Sequence, residues 1–171
     1  MSILNTKLAL IALRLIHIIA GVLWVGGAAV LASFVLPAAR GETNMAYLRR
    51  LIWKFNLPRY LNIALVLTLL SGLTMYGNLA AVTQGAWARS RVGITLGIGG
   101  ALAIVAALIA TFVAAPAIHR ALALTDSASP GSTAADVNES ERALNRYATS
   151  MRVVVGLLIG TAALMAIARY V

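Results

Sequence analysis

The chain alternates between four long apolar stretches and shorter polar segments. A bilayer core about 30 Å thick requires about 20 apolar residues at 1.5 Å of rise per residue, so each stretch is long enough to cross a membrane as a helix. The pattern predicts an all-α integral membrane four-helix bundle of up-down-up-down order, forming one domain over residues 1–171. The predicted spans run from about Leu8 to Leu36, Tyr60 to Tyr76, Val92 to Ala115 and Tyr147 to Tyr170.

Three prolines lie near the predicted span ends. Pro37 and Pro116 are expected to close the first and third spans, and Pro58 precedes the second. A proline inside a helix removes a hydrogen-bond donor and clashes with the preceding turn.

Two connecting segments carry patterns of their own. Between spans one and two, apolar residues recur at helical spacing with basic residues between them, which predicts a short interfacial helix with its basic face toward anionic headgroups. Its apolar residues are Met45, Leu48, Leu51, Ile52 and Phe55. Residues 125–133 are rich in Ser, Pro and Gly and predict a flexible cytoplasmic loop. The acidic residues after it suit the first turns of a further helix.

The composition supports a membrane protein. Hydrophobic residues make up 61% of the chain and charged residues 11%, against about 45–50% and about 25% in soluble domains. The absence of cysteine excludes a disulfide-stapled secreted fold. The net charge of +9 is not arranged as a basic stripe with interleaved aromatics, so no nucleic-acid partner is predicted.

The basic residues predict an orientation, because cytoplasmic loops of membrane proteins collect Lys and Arg. Nine lie around the first and third loops: Arg40, Arg49, Arg50, Lys54, Arg59, Arg120, Arg142, Arg146 and Arg152. Four lie on the other side: Lys7, Arg89, Arg91 and Arg169. This imbalance predicts a multi-pass protein of the inner (cytoplasmic) membrane with both termini on the outer side.

Spans one and three share a short pattern. The residues ASFV at 32–35, followed by Pro37, resemble ATFV at 110–113, followed by Pro116. The two spans are predicted to cross in the same direction, so they could be equivalent parts of two helical hairpins. At this offset of 78 positions, His17 corresponds to Thr95.

An ionisable side chain inside a span is costly and marks a candidate functional site. The first span has two, Arg14 and His17, on a helical face that continues through Gly21 and Trp24. A neutral imidazole ligates haem iron well, and an arginine one turn toward water could pair with the propionates. The spacing is therefore compatible with a b-type haem beside Gly21. The alternative is a histidine hydrogen-bonded to a neighbouring helix and an arginine reaching the headgroups.

Candidates for a second axial ligand are weaker. The second span has a polar stripe that includes Thr68, Ser71 and Met75, and depth counting puts Thr68 and Ser71 near His17. The fourth span offers Met165. Met75 or Met165 could serve as the second ligand, and a five-coordinate iron stays open.

Small residues three or four positions apart predict close helix approach, within a tight bundle or in a homodimer. These faces are Gly93-Gly97-Gly100 and Gly156-Gly160-Ala163. The sequence contains no phosphate-binding glycine loop, no HExxH motif and no Met-x-x-Met pattern for copper.

The segment LIHIIAGVLWVGG at 15–27 resembles the first span of CopD-like membrane proteins, and LTLLSGLTMYG at 67–77 is similar to the second span of one small family of this group. This group includes copper-resistance D-type domains, HemJ-like protoporphyrinogen oxidases and small four-helix families. The resemblance covers most of the chain and implies a four-helix membrane domain in which His17 ligates haem or a metal.

The chain departs from the HemJ-like members of this group. HemJ-like enzymes pair the histidine with a lysine of a later helix, whereas Lys7 and Lys54 are the only lysines here and lie outside the predicted spans. Protoporphyrinogen oxidation is therefore not predicted, although a haem-dependent membrane oxidoreductase stays open. The leading hypothesis is a haem b-binding protein with an electron-transfer or redox role and an unknown redox partner. The alternatives are a non-catalytic subunit or assembly partner of a larger complex and, more weakly, copper or small-solute transport.

Overall fold

A computed structural model of the protein describes residues 7–38, 47–126 and 134–171, and within these ranges the chain is helical with no strand. Helix α1 comprises Lys7–Val30 and continues through Leu31–Val35 to Leu36–Ala38. Helix α2 is Leu57–Val82. Helix α3 comprises Arg91–Ile109, Ala110–Ala114 and Ala115–Asp126, and helix α4 is Ala134–Ile167 with a 3₁₀ turn, Ala168–Tyr170, at its end. All four are long and apolar enough to cross a membrane, which confirms this part of the predicted fold.

The helices extend beyond the predicted spans at their polar ends. Helix α4 begins at Ala134, so the acidic residues after the loop do lie in its first turns. The predicted flexible loop 125–133 overlaps the end of α3, and from residue 127 on it lies outside the described residues.

Helix α3 does not end at Pro116, contrary to the prediction. The turn Ala110–Ala114 is a π-helix, in which the backbone N–H of Ala115 donates to the carbonyl of Ala110. A proline lacks the N–H that would bond the carbonyl four residues earlier, and its ring crowds that carbonyl. The wider π turn relieves this crowding, so the helix passes the proline and reaches Asp126.

A π turn also precedes the proline of α1. The turn Leu31–Val35 is a π-helix closed by the N–H of Leu36 on the carbonyl of Leu31, immediately before Pro37. The similar sequences ahead of the two prolines therefore adopt the same local structure, as expected for equivalent segments of two hairpins.

The segment between α1 and α2 is helical over residues 47–54, and Arg50–Lys54 forms a third π turn. Leu48 and Ile52 are buried, whereas Phe55, which the sequence pattern assigned to the apolar face, is 63% exposed. Met45 lies outside the described residues.

The turn between α2 and α3 is held by the side chain of Tyr76. Its hydroxyl donates to the carbonyl of Gly93 at 3.2 Å, and its ring lies edge-on to Trp87, with the centroids 5.1 Å apart. Gly85 adopts a φ of 80°, which favours glycine, and its N–H donates to the carbonyl of Ala80 at 2.7 Å. Tyr76 and Trp87 therefore fix the α2–α3 pair at this end.

The chain divides into two compact units, both made from segments of several helices. Unit 1 consists of Met1–Gly27, Pro58–Val105 and Leu157–Val171, and unit 2 of Ala28–Leu57 and Ala106–Gly156. Unit 1 buries Trp24, Thr68 and Leu158, among others, and contains His17. Unit 2 has its own core, whose fully buried large side chains are Leu48, Leu122 and Val154.

Large apolar side chains are exposed along the helices of both units. In α1, for example, Ile18, Val22 and Phe34 are more than half exposed. Exposed apolar surface of this extent is unfavourable in water and is the expected outer surface of helices that lie in lipid.

Candidate functional site

His17 lies on the face of α1 that packs against α2 in unit 1. Two groups of α2 lie close to its imidazole: Nδ1 of His17 is 2.9 Å from the carbonyl oxygen of Thr68 and 3.3 Å from Oγ of Ser71. The imidazole is half-buried, while Thr68 and Ser71 are buried. The histidine therefore joins two helices through one of its two ring nitrogens.

The partners of Nδ1 identify the nitrogen that carries the proton. The carbonyl of Thr68 can only accept a hydrogen bond, so Nδ1 must be the donor. Ser71 directs its own hydroxyl toward the carbonyl of Leu67 at 2.5 Å, which leaves a lone pair of Oγ for Nδ1–H. In the neutral imidazole, a proton on Nδ1 leaves the lone pair on Nε2. Among the described residues, Nε2 has no hydrogen-bond partner.

Gly72 lies against the imidazole ring. A Cβ atom built on Gly72 would lie 2.8 Å from Cε1 and 3.1 Å from Nδ1 of His17, but 3.8 Å from Nε2. The first distance is shorter than real Cβ contacts allow, so the ring can lie this close to α2 only because position 72 has no side chain.

The other predicted site residues of α1 lie around His17 with different environments. Arg14 is exposed and Trp24 is buried, with 3% of its surface accessible. Gly21 faces α2, where its Cβ position lies 3.7 Å from the methyl group of Thr68. This methyl group therefore lies beside the glycine, where the sequence predicts room for a haem. A cofactor-binding role of Arg14, Gly21 and Trp24 stays a prediction.

Neither predicted methionine is brought to His17 by a described contact. Met165 of α4 packs on α3, with its Cγ 3.8 Å from the Cβ position of Gly99. Met75 is half-buried on α2. Both stay predictions as second ligands.

Helices α3 and α4 contain a counterpart of the contact between α1 and α2. The offset of 78 that relates α1 to α3 matches Gly21 with Gly99, and an offset of 93 matches Thr68 with Thr161. The matched residues also meet, but through different atoms. The Cβ position of Gly21 lies 3.7 Å from the methyl group of Thr68, whereas that of Gly99 lies 3.6 Å from the carbonyl oxygen of Thr161, whose hydroxyl donates to the carbonyl of Gly99 at 3.1 Å. Both threonines are buried, and each also donates to the carbonyl four residues earlier in its own helix.

The counterpart lacks the polar site. The position of His17 is taken by Thr95, whose hydroxyl donates within α3 to the carbonyl of Arg91 at 2.9 Å. The positions of Ser71 and Gly72 are taken by Leu164 and Met165, both of which pack on Gly99. A Gly–Thr helix contact of this kind can therefore form without a histidine. Packing alone thus does not account for the histidine of the first hairpin, which consists of α1 and α2, whereas the second consists of α3 and α4.

The small-residue faces are used partly inside the chain. A Cβ on Gly93 would clash with the carbonyl oxygen of Trp87, one on Gly97 would lie 3.0 Å from the hydroxyl of Tyr76, and Gly160 faces Leu102. Gly97 and Gly160 therefore lie where neighbouring helices approach each other, whereas the contact of Gly93 is with the turn before its own helix. Two further members, Gly100 and Gly156, have nothing within 4 Å of their Cβ positions, and a homodimer stays a prediction.

Depth counting put Thr68 and Ser71 level with His17 but did not identify them as its partners, and it passed over Gly72. A signal was present, since a Thr and a Ser three residues apart, followed by a Gly, lie near the middle of a predominantly apolar span. The second histidine, His119, is exposed in unit 2 and lies edge-on to Trp53, with the ring centroids 5.7 Å apart.

Beyond a single imidazole, the described residues offer little for a metal ion: no group of three or more His, Cys, Asp or Glu side chains is placed to hold one. A single histidine with an anchored Nδ1 and an unengaged Nε2 fits one axial position of a haem. No protein-family model, curated protein or solved structure matches the chain.

Proposed function

We propose that the protein is a multi-pass membrane protein that binds a b-type haem through Nε2 of His17 and has an electron-transfer or redox role. The hydrogen bond from Nδ1 of His17 to the carbonyl of Thr68 carries this proposal. Metal-ligating histidines commonly donate their other N–H to a carbonyl or carboxylate, which fixes the tautomer and raises the basicity of the ligating nitrogen. A bound haem would supply one-electron exchange between ferric and ferrous iron.

The comparison with α3 and α4 supports a role beyond packing. A histidine inside a span is costly, and the Gly99–Thr161 contact forms with an ordinary threonine at the matching position. The resemblance to CopD-like proteins, in which the first-span histidine is implied to be a ligand, belongs to the same proposal.

Arg14 would pair with the haem propionates. Its guanidinium is exposed one turn before His17, and Arg can bind a carboxylate through two parallel hydrogen bonds. An exposed pair of this kind contributes at most about 1 kcal/mol, so we expect Arg14→Gln to weaken haem binding by no more than about fivefold. A haem titration of the purified variant measures this change.

The arrangement in the membrane forms the finer part of the proposal. The four helices cross the inner membrane in up-down-up-down order with both termini outside, as the excess of Lys and Arg around the first and third loops predicts. The helical segment 47–54 lies at the cytoplasmic surface. Its exposed Arg50, Trp53 and Lys54 suit a headgroup region that is partly anionic.

Visible spectra of the detergent-purified protein test the haem proposal. We expect a Soret band, and α and β bands after reduction with dithionite, in the wild-type protein. His17→Ala should lose these bands while staying folded. His119→Ala, which removes the only other histidine, should keep them. No haem in the wild-type protein after expression with adequate haem, or unchanged bands in His17→Ala, would contradict the proposal.

The second candidate is a non-catalytic membrane subunit in which His17 joins α1 to α2. The two contacts of Nδ1 favour it, because hydrogen bonds between membrane helices stabilise by about 0.6 kcal/mol on average. This candidate predicts a wild-type protein without haem and a His17→Ala variant that is modestly less stable. No specific contact of the described residues favours copper or solute transport.

A further inference from the structure

We propose that Gly72 is a positioning residue for His17: it holds the imidazole in the tautomer that leaves Nε2 available. The haem part of its test rests on the proposed function, whereas the geometric part does not. Gly72 touches no ligand itself and acts only through the histidine.

The contact of Gly72 with the ring is selective for one edge. Cε1 and Nδ1 lie nearest to the Cβ position of Gly72, at 2.8 and 3.1 Å, and Nε2 is the next atom, at 3.8 Å. A methyl group at position 72 would therefore push on the edge that carries the hydrogen bond to Thr68. The ring cannot move away from α2 and keep Nδ1 2.9 Å from that carbonyl.

Loss of the hydrogen bond to Thr68 would allow the ring proton of His17 to lie on either nitrogen. Once Nδ1 no longer reaches the carbonyl of Thr68, its remaining partner is the hydroxyl of Ser71, which can donate as well as accept and therefore does not require the proton to be on Nδ1. The two neutral tautomers of imidazole then compete, and the lone pair is no longer confined to Nε2.

The counterpart hairpin indicates the same role. The position of Gly72 is Met165 in α4, and the position of His17 is Thr95 in α3. A long side chain is accommodated there, with its Cγ 3.8 Å from the Cβ position of Gly99. The glycine and the histidine thus occur together in the first hairpin, and both are replaced in the second.

The test uses Gly72→Ala, with Gly77→Ala as the matched control, because a Cβ at Gly77 meets nothing within 4 Å. The protein is labelled with ¹⁵N-histidine and purified in detergent without haem, and two-bond ¹H–¹⁵N spectra report the tautomer of each imidazole. The chain has two histidines, so His119 serves as an internal reference. We expect His17 to be protonated at Nδ1 in the wild type and in Gly77→Ala, and to show mixed or Nε2–H signals in Gly72→Ala.

Haem titration of the same samples gives the second readout. We expect Gly72→Ala to bind haem about 10–100-fold more weakly than the wild type, the range typical of residues that orient a metal ligand, and Gly77→Ala to be unchanged. An unaltered His17 tautomer and haem affinity in Gly72→Ala would overturn the positioning role.

The two proposals fail in distinguishable ways. If no sample binds haem but Gly72→Ala shifts the tautomer of His17, positioning stands and the haem proposal fails. If the wild type binds haem through His17 and Gly72→Ala changes neither readout, the haem proposal stands and positioning fails.

A folding defect in Gly72→Ala is also informative. The clash is with the imidazole, so the double variant His17→Ala/Gly72→Ala should fold as well as His17→Ala alone. Rescue of this kind supports the proposed contact, whereas failure of the double variant to fold would overturn it.

Discussion

The two hairpins of the chain, α1–α2 and α3–α4, each pair a glycine with a threonine across the helix contact, with different side chains around the pair. In α1 and α2, Gly21 meets Thr68, and in α3 and α4, Gly99 meets Thr161. Beside this shared contact, the first hairpin places His17 and the second places Thr95. This difference indicates that the glycine–threonine contact is the structural part common to the two hairpins, whereas the histidine site is specific to the first.

The largest expected effect comes from making the first hairpin resemble the second at one position. Gly72→Met, which copies Met165, forces a long side chain onto the imidazole, and overpacking of this kind costs about 1–3 kcal/mol. The double variant Gly72→Met/His17→Thr should recover most of this loss, because it reproduces both residues of the second hairpin. Unfolding in detergent, followed by tryptophan fluorescence, measures the free energy of unfolding of each variant.

These variants form a double-mutant cycle. A coupling free energy near zero between positions 17 and 72 would show that the two residues act independently. It would contradict the inference that the histidine of the first hairpin depends on the glycine. As a control, Gly77→Met places the same side chain where a Cβ has nothing within 4 Å and should cost far less.

A smaller effect distinguishes the two threonines. The hydroxyl of Thr161 donates to the carbonyl of Gly99 in α3, whereas the hydroxyl of Thr68 donates within its own helix to Ala64. Thr161→Val should therefore cost about 0.6–1.7 kcal/mol, the range for hydrogen bonds between membrane helices, and Thr68→Val should cost less. Equal losses in the free energy of unfolding would show that the interhelical bond does not distinguish the hairpins.

The smallest effect is expected at the two matched glycines. A Cβ on Gly21 or Gly99 would make its nearest contacts at 3.6–3.8 Å, which is ordinary van der Waals distance. Gly21→Ala and Gly99→Ala should each change the free energy of unfolding by no more than about 1 kcal/mol, toward greater stability, because alanine restricts the unfolded chain. A large loss in only one variant would mean that the two contacts are not equivalent. Thermal unfolding of both variants in the same detergent provides the comparison.

The four apolar helices could be predicted from the sequence alone, because helix formation in a long apolar stretch depends on local hydrogen bonds and on length. It also identified His17 as a costly intramembrane residue, and simple depth counting put Thr68 and Ser71 at its level. The paired patterns before Pro37 and Pro116 likewise indicated two related helices.

Other features could not be predicted from the sequence, because they depend on which faces of distant segments meet in the folded protein. The sequence predicted a helix end at Pro116, but a π turn accommodates the proline and α3 continues. Likewise, Met165 packs on Gly99 of α3, and Gly72 lies against an imidazole 55 positions earlier in the chain. The protonated nitrogen of His17 follows from the same packing, since a proton takes the nitrogen that faces an acceptor, and the fold alone brings the carbonyl of Thr68 to Nδ1.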